Sequence, residues 1–488
     1  MTMIAIVLLY FGLLFVVSRW TGRKATNETF YRGDRRSPWY LVAFGMIGAS
    51  ISGVTFISVP GMVNSIGMTY LQTCLGFILG YTVIAFILLP LYYRLNLTTI
   101  YSYLGQRIGK RAYKTGASFF LLSKMTGASV RFYVVCWILM TCGMGTLGNE
   151  TSGTTGHNDG MFAVVVVVMT ALIWLYTRQG GIKTVVWTDT FQTACLFGAL
   201  ILIIYKVVGE LGMTTGEAVA AIQHSELSRV FVFDDWVSKQ YFWKQFLSGA
   251  FIAIVMTGLD QDMMQKNLTC RSLRDAQKDM CSYGVAFLPA NLLFLSLGVL
   301  LTIWYQQQGI AIPASGDDLL PRFIMHSSQS SPLIMIIFML GMVAAAFSSA
   351  DSALTALTTS YCVDICGRAD DERLRHRVHI GMAGVFVVFI LLFRLLNSTS
   401  VIDAIYILCS YTYGPLLGLF TFGLLTKRQT NDRYVPYICV ASPLLCFAID
   451  TLTNQLTGYR FGYELLMLNG LLTFLGLWLT GKNDSQKN

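Results

Sequence analysis

The chain has 488 residues, of which 54% are hydrophobic and only 12% charged. Soluble domains are about a quarter charged, so this composition excludes a soluble enzyme or nucleic-acid-binding fold and points to a polytopic membrane protein. The net charge of +9 is explained by where the basic residues fall, and no nucleic-acid partner is expected.

Apolar runs of about 20 residues cross a bilayer as helices. Thirteen occur, over residues 2–20, 38–63, 68–93, 113–147, 160–177, 186–208, 241–262, 280–306, 332–366, 377–396, 400–425, 434–452 and 461–480. Their length and Leu/Ile/Val/Phe content predict helices, since barrel strands are shorter and alternate in polarity. No basic residue precedes the first run, which therefore predicts a retained helix and not a cleaved signal. Basic residues gather on alternate loops: Arg19 to Arg36 with Lys24, Arg94 to Lys114, Arg178 with Lys183, Lys266 to Lys278, Arg368 to Arg377 with Arg375, Lys427 to Arg433, and Lys482 with Lys487. This places the N-terminus outside and the C-terminus in the cytoplasm, in a plasma membrane such as a bacterial inner membrane.

The second run holds Gly45, Gly48 and Gly53 around Ala49-Ser50-Ile51-Ser52, with Pro60-Gly61 beyond. This composition predicts local unwinding that frees backbone carbonyls, tolerated only where protein or a water-lined cavity satisfies them. Close helix packing is the alternative for Gly45 and Gly48. Five runs later, the seventh carries Gly249 and Gly258 before Asp260-Gln261. Interrupted helices in corresponding places point to an inverted-repeat transporter.

In the ninth run, Ala345, Ser348, Ser349 and Ser352 fall at i, i+3, i+4 and i+7 on one helix face, with Asp351 among them. Hydroxyl and carboxylate oxygens at membrane depth suit a hard, partly dehydrated cation. A buried ionisable residue marks a site or pathway by default, although small residues and serines also line helix packing interfaces.

Between spans, 209–240 predicts an outer loop or amphipathic helix, 367–376 a charged cytoplasmic loop, and Gly481–Asn488 a polar tail with no receptor output domain. The eleven Cys are scattered without metal spacing and read as reduced packing residues. His157, His224, His326, His376 and His379 form no cluster with metal or nucleophile spacing, so an enzyme is not expected.

Five segments in order resemble the sodium:solute symporter family. Phe30-Tyr31-Arg32-Gly33-Asp34-Arg35-Arg36 is similar to its YxxGxR segment, and Gly48 to Phe56 to its first core helix. Gly180-Gly181-Ile182-Lys183-Thr184-Val185-Val186-Trp187-Thr188-Asp189-Thr190-Phe191-Gln192 resembles its most distinctive signature. Asp260-Gln261 with Gln265-Lys266 resembles its DQxxxQR motif, and Ser348 to Ser352 its eighth core helix.

The resemblance implies an all-α LeuT-type core of five plus five inverted helices, with one extra helix before it and two after. In a single 488-residue transporter domain, 1–37 would be the extra helix and its loop, 38–210 the first repeat, 241–425 the second, and 432–480 the two extra helices. It implies a main sodium site of the Gly48, Ile51 and Ala345 carbonyls with the Ser348 and Ser349 hydroxyls. Members related to sialic acid transporters have a second sodium site, which here would use Ser348, Asp351, Ser352 and Asp189. Asp351 departs from the serine of that pattern, and would either tighten sodium binding or carry a proton. Asp189 could instead cap its own helix or pair with Lys183.

The proline branch has an aspartate where this chain has Ser50, and the galactose branch a lysine near Phe287 to Asn291, where none occurs. Polar residues expected at the central cavity are Ser50, Ser52, Thr55 and Gln72, and Asp260 and Gln261 are expected to touch the solute or to form an inner gate. Tyr411 and Tyr413 are candidates for an aromatic gate. Lys124 and Arg131, seven apart on one helix face, could clamp a carboxylate, or snorkel or pair with an internal acid. Sialic acid transporters have an arginine in this helix, about one turn away, near Thr126 or Gly127. The expected function is sodium-coupled import of a small polar solute by alternating access, favouring a sugar acid such as sialic acid, by a monomer in the lipid bilayer. The alternatives are another organic solute, such as a monocarboxylate or amino acid, or a transporter-fold channel or receptor.

Overall fold

A computed structural model describes residues 2–23, 25–144, 159–396, 401–459 and 461–482. Lys24, His157 and Lys487, residues 145–147 of the fourth apolar run, residue 400 of the eleventh and residues 483–488 of the tail lie outside the described residues.

Nine helices among the described residues are long and apolar enough to cross a membrane. Two further spans are bent pairs: Trp39–Ser50 with Gly53–Ile66, at 61°, and Phe242–Gly258 with Gln261–Asn267, at 70°. Two shorter apolar helices, Leu9–Thr21 and Leu465–Thr480, fall within the first and last apolar runs.

The bends have local causes. At the first, Ile51 (φ −81°, ψ 83°) and Ser52 (φ −74°, ψ 172°) leave helical geometry, and Ser52 N–H turns back to the Ser50 carbonyl at 3.1 Å. At the second, the helix widens into a π-turn over Ile254–Gly258, with Leu259 N–H reaching the Ile254 carbonyl at 3.0 Å. Asp260 (φ −104°, ψ 120°) then leaves the helix and caps the next one, its carboxylate accepting from Asp262 N–H at 2.8 Å. The seventh apolar run is therefore not one straight helix.

Small residues let backbones approach at the centre. The Ile182–Glu210 helix packs against both Trp39–Ser50 and the serine-bearing Pro332–Ser360. A Cβ on Gly48 would sit 1.9 Å from Thr193 Oγ1, so only glycine permits this crossing. Phe242–Ala253 lies against Tyr70–Val83, where a Cβ on Gly76 would meet the Phe246 carbonyl at 2.0 Å. Between spans, Thr215–His224 is a helix capped by Thr214 and Glu217, and 367–376 is only partly loop, since a helix begins at Glu372. Gln429–Thr430 pairs antiparallel with Gly481–Lys482, which ties the start of the tail to the preceding loop.

Candidate functional site

Unwinding after Ser50 removes the N–H groups that the Gly48 and Ile51 carbonyls would receive in a continuous helix. Ile51 N–H bonds Ile47 and Ser52 N–H bonds Ser50, and among the described residues no backbone donor meets Gly48 or Ile51. From Pro332–Ser360, the buried Ser349 hydroxyl reaches the same broken helix at the Ala49 carbonyl, 3.0 Å away, and lies 3.3 Å from the Ala345 carbonyl of its own helix. The result is a neutral group of carbonyl and hydroxyl oxygens between a broken helix and a continuous one. Such a donor set fits sodium, which binds at unwound carbonyls.

One helical step away the chemistry changes. Ser348 donates to Asp189 Oδ1 at 2.7 Å and Ser352 to Asp189 Oδ2 at 3.4 Å. The Lys266 ammonium lies 2.8 Å from the same Oδ2, with both side chains 1% exposed. Asp351 accepts the Tyr176 hydroxyl at 2.7 Å and the Thr188 hydroxyl at 3.5 Å on Oδ2. Its Oδ1 is buried without a hydrogen-bond partner.

A central cavity of about 1080 Å³, its open mouth included, is lined by Ser50, Ser52, Thr55, Arg131, Asp260 and Ser349, and by the aromatic rings of Tyr70, Phe77, Tyr81, Tyr283, Phe287 and Tyr413. Ser50 Oγ lies 2.6 Å from Tyr283 OH, which is 2.9 Å from Tyr81 OH. Lys124 is held between Asp262 at 2.6 Å and Asp260 at 3.2 Å, and Tyr413 donates to Asp260 at 2.5 Å. Asp262 lies 4.0 Å from Lys266. An unbroken series of charges thus runs from Asp189 through Lys266, Asp262 and Lys124 to Asp260 at the cavity. Arg131 stands apart: among the described residues its guanidinium has no hydrogen-bond or ion-pair partner.

A family model, the sodium:solute symporter family, matches residues 30–434. The chain belongs to the sodium:solute symporter family. The symporter is 24% identical to the sodium/sialic acid symporter SiaT of Proteus mirabilis, over 88% of this chain and 86% of that protein. It is 22% identical to the human sodium/iodide cotransporter, over 85% of this chain and 65% of that longer one. In fold it matches the substrate-bound outward-open state of a Na+-coupled sialic acid symporter, with TM-score 0.78, 18% identity and 99% of each chain covered. The fold is thus LeuT-type, sodium is the coupling ion, and this is a membrane transporter and not an enzyme.

The symporter's expected site residues fall into three groups. Gly48 and Ile51 lie at the first bend, and Ser349 joins that bend to Ala345 through the Ala49 and Ala345 carbonyls, whereas Ser348 turns its hydroxyl to Asp189 and joins Ser352 there. Ser50, Ser52, Thr55, Arg131 and Asp260 line the cavity, as does Tyr413. Gln72 and Gln261 do not line it. Gln72 accepts from Val232 N–H at 3.1 Å and donates to the Gln240 carbonyl at 2.9 Å, pinning the 209–240 segment. Gln261 accepts from Ile100 N–H at 2.9 Å and donates to the Thr98 carbonyl at 3.2 Å, pinning another. A buried amide serves a loop backbone as readily as a ligand, since both need paired polar groups. Lys183 pairs with Asp34 at 2.9 Å and not with Asp189.

Lys266 and Arg375, counted above with the loop charges, are buried at 1% and 2% exposure. Arg375 lies 4.7 Å from the Phe30 ring. The sequence reading also missed Tyr176, Asp262 and Tyr283. Asp262 carried one available signal: a second carboxylate two residues after Asp260 in an apolar segment needs a cation, and pairing with an internal acid was one of the alternatives for Lys124, which the structure shows.

Proposed function

We propose that this symporter imports a sialic acid or a related sugar acid with sodium across a plasma membrane. The observation that carries the solute class is Arg131. Lys124 is neutralised by two carboxylates, so Arg131 is the cavity's uncommitted cation, and a guanidinium suits bidentate recognition of a carboxylate. The aromatic walls and the Ser50, Ser52 and Thr55 hydroxyls suit the rest of a polyhydroxylated ring. Sialic acid relatives at similar identity in Proteus mirabilis and Aliivibrio fischeri support the same class.

Sodium would bind at the Gly48, Ile51 and Ala345 carbonyls and the Ser349 hydroxyl, with Ser348 at its edge. Ser349 both faces the cavity and touches the broken helix, so a cation there draws the two helices together and shapes the cavity wall. That is differential stabilisation of one arrangement, which is what coupling requires. Release inward follows when residues 38–210 and 241–425, as two inverted halves, rock past one another. The N-terminus lies outside, the C-terminus in the cytoplasm, and one chain forms the carrier.

Uptake of sialic acid into proteoliposomes tests this reading. It should require an inward sodium gradient, cease when potassium replaces sodium, and weaken in Arg131→Ala. Uptake indifferent to sodium would overturn the symport mechanism. Accumulation of a neutral amino acid or a simple monocarboxylate, with sialic acid excluded, would overturn the solute class.

A further inference from the structure

We infer that the Lys266 ammonium occupies the second cation position of this symporter, so that the carrier binds one sodium ion and not two. The inference rests on the sodium reading of the first bend given above. A second sodium at the Asp189 cluster would need the Asp189 carboxylate, the Ser348 and Ser352 hydroxyls and Asp351. Lys266 Nζ already sits 2.8 Å from the Asp189 carboxylate, both serines point at that same carboxylate, at 2.7 and 3.4 Å, and Asp351 turns Oδ2 to Tyr176 and Thr188 while its Oδ1 has no hydrogen-bond partner.

The ammonium is a compact monovalent point charge, the same charge a sodium ion would bring, but tethered to the protein. Its site is dry, with both partners 1% exposed, and removing a cation from such a pair leaves an uncompensated buried charge. Lys266 is also placed where a free ion could not be useful to the same end. It stands between Asp189 on the Ile182–Glu210 helix and Asp262, 4.0 Å away on its own helix, and Asp262 lines the cavity beside Lys124 at 2.6 Å. The tethered charge therefore links two helices permanently, where a sodium ion would link them only when bound.

Counting bound ²²Na⁺ on the purified full-length chain tests this without knowledge of the solute. The wild type should bind one sodium per chain, and Lys266→Gln should bind two. Ser352→Ala, which retains Lys266, should bind one ion with unchanged affinity. Two ions in the wild type, with one lost in Ser352→Ala or Asp351→Asn, would overturn the inference and leave the symport reading intact. One ion in both wild type and Lys266→Gln would overturn it as well. No sodium bound by the wild type would remove the symport reading and this inference together. Should Lys266→Gln fail to fold, the wild-type count and Ser352→Ala still distinguish one ion from two.

Discussion

The two bent spans are similar in geometry, at 61° and 70°, and opposite in chemistry. The first breaks at glycine and serine and carries no charge. The second carries Asp260, Asp262 and Lys266 within seven residues. A break in a membrane helix always frees polar groups that must be satisfied. At the second bend the protein satisfies them itself: Asp260 caps the next helix, Lys124 bridges the two carboxylates, and Lys266 pairs with Asp189. At the first bend the Gly48 and Ile51 carbonyls are left without backbone donors. Under the proposed function, the bend whose charges are internally paired serves as a joint, and the bend whose carbonyls lack backbone donors serves as the sodium seat.

That distinction can be broken experimentally, and the largest effect belongs to the joint. Lys124→Ala leaves Asp260 and Asp262 buried without their cation, and loss of one partner of a buried pair costs about 3–5 kcal/mol. A marked fall in the thermal midpoint of the detergent-purified protein is expected, partly restored by adding Asp262→Asn. A midpoint unchanged in Lys124→Ala would mean the second bend is not held by its ion pairs.

The cavity between the bends comes next. Arg131→Ala should weaken binding of an anionic solute by about 1.5–3 kcal/mol, the range for hydrogen bonds to a charged group, or about ten- to a hundredfold. Affinity for the corresponding neutral ester should change little in a competition assay. Equal losses for acid and ester would assign Arg131 a packing role.

The smallest effect should come from a charge pair outside both bends. Lys183 and Asp34 are about a third exposed, at 36% and 32%, and such pairs contribute about 0–1 kcal/mol. Lys183→Ala should therefore leave both the melting midpoint and sodium affinity near wild type. A loss as large as that of Lys124→Ala would erase the contrast between buried and surface pairs.

Much of this arrangement was legible from the amino acids. Hydropathy marks the spans because lipid penalises every unsatisfied polar group, and Gly48–Gly53 marks a break because glycine and serine weaken a helix. The spacing of Ser348, Ser349 and Ser352 marks a face, but not which side of it each hydroxyl turns to. Ser349 faces the broken helix and Ser348 faces Asp189, a difference of one residue and about 100° around the axis. Partners across helices were not legible. Lys183 is near Asp189 in sequence, yet Lys266, much farther along the chain, is its neighbour in space. Gln72 and Gln261 misled for a related reason: an amide in an apolar run announces a buried polar partner without saying whether that partner is a ligand or a loop.

The neutral bend as the sodium seat is the central claim, and sodium affinity of wild type against Ser349→Ala tests it most directly. Titrating sodium chloride into purified protein, with potassium chloride as control, should stabilise the wild type in a sodium-specific way. In Ser349→Ala the midpoint concentration should rise at least tenfold, about 1.4 kcal/mol. An unchanged sodium midpoint in Ser349→Ala, with the protein folded, would contradict the assignment.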